Sequence, residues 1–210
     1  MRKRLLVFAS GTKDGGGSGF ENLVRASGDG RLSADIVAVV SNRETGGVRE
    51  RAARLGVPFV YFAPPYSAAR YAAVARHYRA DFVALSGWLK PVEGLDPKTT
   101  FNIHPGPLPA FGGAGMYGHR VHEAVLAAYR RGELTHSEVC MHFVTETYDD
   151  GPVFFRYAVP ILPDDTPDTL ASRVNEAEHV WQPVVADAVL AGAIRWDGND
   201  SASLVTPYRC

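Results

Sequence analysis

Residues 5–24, LLVFASGTKDGGGSGFENLV, join a short apolar run to a glycine-rich stretch and then to a helix-like pattern. The run LLVF has the length of a buried strand, and after Gly19 apolar residues return at helical spacing. Glycines between the two segments permit a sharp turn and let backbone N–H groups approach an anion. The segment therefore predicts a strand, a turn and a helix, which is the repeating unit of a parallel sheet.

The same alternation continues along the chain. Further strand-like runs are DIVAVVSN, PFVYF, DFVALS and TFNIH, and helix-like stretches lie at 19–28, 46–55, 66–79 and 119–131. The later runs SEVCMHFV and GPVFFRYAVPI are separated by a short loop, which favours antiparallel pairing. A long helix follows, with Asp165 or Thr166 as its cap, Pro167 in its first turn and Gly192 at its end. We predict the α/β class: an open, mostly parallel twisted sheet with helices on both faces and mixed or antiparallel strands near the C-terminal part.

The composition of the chain argues against several classes of function. The 210 residues are 46% hydrophobic, enough for one substantial core. A net charge of -1 and a pI near 6.7 argue against nucleic-acid or anionic-membrane partners. No apolar run approaches the roughly 20 residues of a membrane span, and the apolar run in MRKRLLVFAS is too short for a signal peptide. Cys140 and Cys210 form no disulfide or metal pattern, so we expect a cytoplasmic protein.

The stretch FNIHPGPLPAFGG, residues 101–113, carries the first candidate for chemistry. Side chains alternate along a strand, so Asn102 and His104 share one face, and Pro105 ends the strand at the edge where α/β proteins bind ligands. An amide and an imidazolium donate hydrogen bonds suited to an oxygen that becomes negative, which indicates acyl-type transfer. A turn cap and an ordinary core histidine remain the alternatives. Asp149 and Asp150, in the loop TETYDDGP, are candidate partners for the histidine, or simply turn residues.

The glycine-rich segment is the second candidate, as a phosphate cradle in which Ser18 caps the following helix. It is not a Walker A loop, since Gly17 stands where the lysine belongs, and no G-x-G-x-x-G pattern fits. A flexible surface turn remains the alternative.

Three motifs, NIHPGPLPAF, MHFVTETYDDGPVF and SRVNEAEHVWQP, together resemble the folate-dependent formyltransferases, and within them those that formylate glycinamide ribonucleotide in purine synthesis. The family pattern is N-I-H-P-x-L-L-P, then H-F-V-x-x-x-x-D-x-G-P, then an E-H pair in the last long helix, and it is matched in order over nearly the whole chain. The resemblance implies a single Rossmann-like formyltransferase domain, 1–210, with a phosphate-binding half, 1–100, and a catalytic and folate-binding half, 101–210.

The resemblance also implies residue roles. Asn102 and His104 would bind the formyl oxygen, and Asp149 would keep His104 protonated and oriented. The implied substrate-binding residues are Gly17, Ser18, Gly19, Asn175 and Glu178. The implied pterin slot is formed by Leu89, Lys90, Pro91 and Val92 with Thr145, Glu146, Thr147, Tyr148 and Asp149, and its walls by Trp88 and Tyr148. The glycine-rich loop is longer than the family's, and Gly19 replaces an asparagine, which removes a side-chain contact.

The implied reaction transfers a formyl group from 10-formyltetrahydrofolate to glycinamide ribonucleotide without a metal, in a monomer or homodimer. Alternatives left open are another acceptor amine (an amino sugar nucleotide or aminoacyl-tRNA), hydrolysis of formyltetrahydrofolate, and a non-catalytic nucleotide or folate binder. We expect the tRNA enzymes to carry a further C-terminal domain and the hydrolases an N-terminal regulatory domain. The segment FGGAGMYGHR has extra residues and Tyr117 in place of a histidine, and we expect a mobile loop there with His119 starting a helix.

Overall fold

The computed structural model describes residues 1–13 and 15–208, so Cys210 lies outside the described residues. These described residues form seven strands: β1 Lys3–Phe8, β2 Ala34–Ser41, β3 Phe59–Tyr61, β4 Phe82–Leu85, β5 Thr100–His104, β6 His136–Phe143 and β7 Val153–Pro160. The α-helices are α1 Ser18–Asp29, α2 Gly47–Leu55, α3 Ala68–His77, α4 His119–Arg130 and α5 Pro167–Leu190, followed by a 3-10 turn, Ser201–Ser203. Among these helices, none combines the length and apolar character that crossing a membrane requires.

The strands form one sheet in the order β3-β2-β1-β4-β5-β6-β7. The first five pair in parallel, whereas β6 pairs antiparallel with both β5 and β7. The predicted fold class is therefore confirmed. The strand order reverses between β1 and β4, and this reversal opens a crevice at the carboxyl edge of the sheet.

The core has two layers, one on each face of the sheet. Leu5 and Val7 of β1 pack into the layer under α1, α2, α4 and α5, and Leu6 and Phe8 pack into the layer under α3. All four side chains are fully buried. This burial on both faces explains why β1 has a continuous apolar run rather than an alternating one.

Helix α5 begins as its sequence predicts. Thr166 is the N-cap, its hydroxyl accepts from the N–H of Thr169, and Pro167 occupies the first helical position. The helix nevertheless continues through Pro183, a residue that supplies no backbone N–H to the carbonyl four residues earlier. Because the helix is uninterrupted, the residues on one of its faces lie along the crevice.

Candidate active site

A cavity of about 410 Å³ lies at the carboxyl edge of the sheet, where the strand order reverses. Its walls are the β1–α1 turn, the ends of β4 and β5, the loop before α4, the β6–β7 loop and one face of α5. Asn102 and Asp149 also line a smaller slot of about 40 Å³. The two spaces therefore share a wall that carries an amide and a carboxylate.

Asn102, His142 and Asp149 meet at this shared wall. Asn102 and His142 are directly paired in the β5–β6 ladder, which brings their side chains together. Nδ2 of Asn102 lies 3.1 Å from Nε2 of His142 and 3.4 Å from Oδ1 of Asp149. Nε2 of His142 also lies 3.3 Å from Oδ1 of Asp149. Residues far apart in sequence therefore form one polar cluster.

His104 is buried beside this cluster. Its Nε2 lies 2.8 Å from the carbonyl oxygen of Phe111, which can only accept, so Nε2 carries a proton and Nδ1 faces Oδ2 of Asp149 at 3.7 Å. Burial lowers the pKa of His104 more than Asp149 and the Phe111 carbonyl raise it. The sequence-based prediction that Asp149 keeps His104 protonated therefore needs correction for the unliganded protein, because desolvation favours the neutral ring.

Asp149 is half-buried and faces His104, whereas Asp150 is exposed. This agrees with the preference for Asp149 as the partner of the histidine. Oδ2 of Asp149 accepts from the N–H of Gly113 at 3.0 Å. Burial alone would raise the pKa of Asp149, but the contact with His142, the neighbouring His104 and the N–H of Gly113 together lower it. Asp149 has a left-handed backbone (φ 53°), a conformation that costs energy in a non-glycine residue and is often found at functional sites. The carboxylate is therefore ionised and held inward.

The predicted phosphate cradle lines the other end of the cavity, with Gly17, Ser18 and Gly19 all in its wall. Ser18 is the first helical residue of α1 and does not cap it; the N-cap is Gly17, which has φ 78° and no side chain. The expectation that Ser18 caps the helix was therefore wrong. The left-handed turn uses a glycine where a side chain would be strained, and it leaves the first N–H groups of α1 for a ligand.

The base of this turn carries excess positive charge. Glu21 in the first turn of α1 is buried and pairs with Arg25, Arg51 and Arg54. Hydrogen bonds, first from Arg54, hold the pKa of Glu21 well below its ordinary value. Nε of Arg51 also donates to the carbonyl of Gly16 at 3.0 Å, which fixes the turn against α2. One carboxylate among three guanidinium groups favours an anion nearby.

One face of α5 lines the cavity with Asn175, Glu178, His179 and Gln182, which recur at the spacing of a helix surface. Nδ2 of Asn175 donates to Oε2 of Glu178 at 3.2 Å. Burial raises the pKa of Glu178 to about 7. The structure thus brings both predicted residues of this helix to the cavity, and adds His179 and Gln182.

The small slot has the residues expected for a pterin site. Trp88, Lys90, Pro91, Val92, Thr145, Glu146, Thr147, Tyr148 and Asp149 line it, together with Leu85, Asn102, His142 and Val144. Leu89 departs from the prediction: it lines the larger cavity, and its N–H donates to Oγ of Ser10. The indole N–H of Trp88 donates to the hydroxyl of Tyr71, which donates to the carbonyl of Pro91. The buried Tyr71 therefore holds Trp88 and Pro91, which line the slot, in fixed positions.

Sequence reasoning missed three side chains of the site, those of His142, His179 and Gln182. His142 was used only to count to Asp149, although its place opposite Asn102 in an antiparallel pair could have marked it. His179 and Gln182 could have been found from their helical spacing after Asn175. The loop 113–118 also lines the cavity, and His119 starts α4, as expected. Within the described part of the chain, no cluster of three or more His, Cys, Asp or Glu is arranged to hold a metal ion.

The family model and the curated relatives agree on the family to which this chain is similar. Residues 3–186 match the formyl transferase family. The chloroplastic phosphoribosylglycinamide formyltransferase of Arabidopsis thaliana is 39% identical over 206 residues, covering 93% of this chain and 68% of that protein. The phosphoribosylglycinamide formyltransferase of Bacillus subtilis (strain 168) is 30% identical over 199 residues, covering 90% of this chain and 95% of its own length. The chain spans 63% and 65% of two further plant relatives.

A solved structure extends the comparison. The crystal structure of glycinamide ribonucleotide transformylase 1 from Symbiobacterium toebii has a TM-score of 0.81 and 28% identity, and covers 94% of this chain and 92% of its own. The solved structure shares the fold that brings an amide, an imidazole and a carboxylate to one edge of the sheet in this chain. The chain belongs to the formyl transferase family. It is a one-carbon group transferase, and the resemblance to the phosphoribosylglycinamide formyltransferases is confirmed.

Proposed function

We propose that this enzyme transfers the formyl group of 10-formyltetrahydrofolate to the amine of glycinamide ribonucleotide in purine biosynthesis. The observation that carries the proposal is the shared wall between the cavity and the slot. Asn102 and Asp149 line both spaces, and His104 lines the larger one. A formyl group entering from the slot and an amine entering from the cavity would meet at these side chains, which supplies the orientation that such a reaction needs.

The reaction begins with attack of the amine nitrogen on the formyl carbon. A carbon–nitrogen bond forms and the carbonyl π electrons move to oxygen, giving a tetrahedral intermediate. Nδ2 of Asn102 donates to this oxygen, an interaction that strengthens as negative charge develops. Collapse of the intermediate breaks the bond to the folate nitrogen. That nitrogen gains one proton and the attacking amine loses one, so the step is balanced without a metal.

His104 acts through a change in protonation during attack. The neutral ring is favoured in the unliganded protein because burial disfavours its charge. A developing oxyanion adds a second negative neighbour beside Asp149, and two negative charges next to one imidazole favour the imidazolium. The imidazole takes up the proton that the attacking amine loses, stabilises the intermediate and passes the proton to the leaving nitrogen. Asp149, ionised throughout, orients the ring and balances its charge.

The two substrates occupy different ends of the site. The phosphate of glycinamide ribonucleotide binds at Gly17, Ser18 and Gly19, and its ribose hydroxyls bind at Glu178 and Asn175. The pterin ring binds in the slot. A space of about 40 Å³ holds little more than a water molecule, so the slot must widen when the pterin ring binds.

Three further features belong to the proposal: the division into halves 1–100 and 101–210, a monomeric or homodimeric state, and a cytoplasmic location. Plant relatives are named as chloroplastic, so the location is best tested by fractionation of the source cells.

The direct test is an assay of the purified chain with 10-formyltetrahydrofolate, with and without glycinamide ribonucleotide. We expect tetrahydrofolate and formylated ribonucleotide to form together, and only when the acceptor is present. Formate release without acceptor would identify a hydrolase, and turnover only with an amino sugar nucleotide or aminoacyl-tRNA would identify a different acceptor. Binding of both ligands without turnover would identify a non-catalytic binder.

A further inference from the structure

Gln182 is a buried amide whose hydrogen-bonding capacity is mostly unused. The residue lies on α5, is 1% exposed and lines the large cavity. Its Oε1 accepts from Oγ of Ser86 over a long 3.4 Å. Its Nε2 is buried and has no hydrogen-bond partner among residues 1–13 and 15–208. A buried amide donor without a partner is costly, so native proteins rarely keep one without a reason.

The amide lies against the first turn of α1. A Cβ atom built on Gly19 would lie 3.1 Å from Oε1 of Gln182 and 2.2 Å from Oγ of Ser86. Gln182 and Ser86 therefore occupy the space that a side chain at position 19 would fill. Gly19 itself contributes no side-chain donor, so in this chain the polar side chains beside the turn come from α5 and from the end of β4.

We propose that Gln182 is a substrate-binding residue that donates an N–H bond to a phosphoryl oxygen held at the N-terminus of α1. The proposal rests on the proposed function, because glycinamide ribonucleotide supplies that phosphate. The helix N-terminus and the arginines around Glu21 attract an anion to this end of the cavity. The terminal torsion of a glutamine side chain is soft, so the amide turns toward the ligand without a change of backbone.

The chemistry of the amide suits this role. A carboxamide donates two hydrogen bonds and carries no charge. It can therefore contact an anion without forming an ion pair with Glu21 or Glu178, as an added cationic side chain would. A glutamate at position 182 would keep the shape, replace the donor with an acceptor and place a negative charge beside the phosphate. A methionine would keep the approximate volume and remove both functions. These two variants separate donation from packing.

Binding of inorganic phosphate, measured by calorimetry and by the phosphate-dependent rise in Tm, tests the site without turnover. We expect Gln182→Met to weaken phosphate binding about tenfold and Gln182→Glu to weaken it further. Glu176→Met, on the exposed side of the same helix, is the control and should bind as the parent does. A variant that only disturbs packing lowers Tm without phosphate but keeps the phosphate-dependent rise. Parent-like binding by Gln182→Met, or no binding by the parent, overturns the proposal.

Steady-state kinetics provide a second measurement. Gln182→Met should raise KM for glycinamide ribonucleotide about tenfold, with KM for 10-formyltetrahydrofolate and kcat changed less than about threefold. A further test supplies the carboxamide from position 19 instead of position 182. Ser86→Ala with Gln182→Ala should lose phosphate affinity, and adding Gly19→Asn to that double variant should recover it. If the parent transfers no formyl group, the proposed function fails, while the phosphate experiments still decide the role of Gln182.

Discussion

The side-chain amide of Asn22 donates to the backbone carbonyl of His179 at 2.7 Å, and this carbonyl is the one that Pro183 leaves without an intrahelical donor. Asn22 lies on α1 and His179 on α5. One hydrogen bond therefore satisfies the free carbonyl of α5 and also links α5 to α1, the helix that begins at the phosphate cradle. The proline is tolerated because another helix supplies the missing N–H.

The first prediction follows from this pairing. Asn22→Ala should lower the free energy of unfolding by about 1–2 kcal/mol, because it leaves a partly buried carbonyl unsatisfied. In a Pro183→Ala background, the backbone N–H of residue 183 returns, and the same substitution should cost much less. Urea unfolding of the four proteins of this double-mutant cycle measures the difference. Equal costs in both backgrounds would show that the carbonyl of His179 is not the reason for the effect.

The second prediction separates the two adjacent aspartates. Asp149→Asn should lower kcat about 10²- to 10⁴-fold, the range for loss of an acid–base group, because the amide cannot balance a charged His104. Asp150→Asn is the matched control, since the residue is exposed, and should keep parent-like kinetics. A similar loss in both variants, measured by tetrahydrofolate formation, would point to a disturbed loop rather than a catalytic carboxylate.

The third prediction concerns pH. His142 makes the largest contribution to lowering the pKa of Asp149, so His142→Phe should raise that pKa. In the proposed mechanism Asp149 acts as the anion, so we expect activity above its pKa and a loss of activity as pH falls through it. The acidic limb of the kcat/KM profile should therefore move to higher pH. His136→Phe, a partly exposed histidine on the same strand, should leave the profile in place. An unmoved acidic limb in His142→Phe would contradict the assigned contact.

The fourth prediction concerns the pH dependence of stability at Glu178. Its pKa is raised from 4.5 to about 7, so the folded protein favours the protonated carboxyl. The stability this provides is fully present below pH 4.5 and is lost as pH rises through about 7. Glu178→Gln should therefore be more stable than the parent by about 1–3 kcal/mol at pH 8 and nearly equal at pH 4. Urea unfolding at both pH values checks this, with Glu176→Gln as the exposed control.

The fifth prediction tests the glycine turn. Gly16 has φ 81°, and a Cβ there would lie 2.5 Å from Cα of Gly11. Gly16→Ala should therefore distort the cradle and raise KM for glycinamide ribonucleotide with little change in KM for the formyl donor. Gly28→Ala is the control, because it lies in α1 with free space around it. We expect that substitution to stabilise the protein by about 0.5–1 kcal/mol. Unchanged acceptor KM in Gly16→Ala would contradict a phosphate site at this turn.

The fold could be predicted because local patterns determine it. Short apolar runs such as LLVF, the helical periods between them and the cap at Thr166 all act within a few residues. The faces of Asn102 and His104 also follow from strand alternation alone. The three motifs, read as a family resemblance, then placed Asp149 with them.

The remainder of the site depends on contacts that are distant in sequence. The position of His142 is set by its ladder partner, and that of Gln182 by the packing of α5 beside α1 and Ser86. The protonation of His104 depends on a balance between burial and one carboxylate, and a sequence gives neither quantity. Ser18 was misplaced by one residue because glycine, rather than serine, took the left-handed turn before α1.

The pairing of Asn102 with His142 has a consequence for how this enzyme can change. Hydrogen bonds between neighbouring strands set the distance between these two side chains, so the chain connecting them does not. Phe111 and Gly113 contact His104 and Asp149, so within the connecting chain it is the loop 114–118 that can gain or lose length while the reactive centre keeps its geometry. This loop lines the cavity, so a change in its length would reshape the mouth of the cavity without moving the two paired side chains.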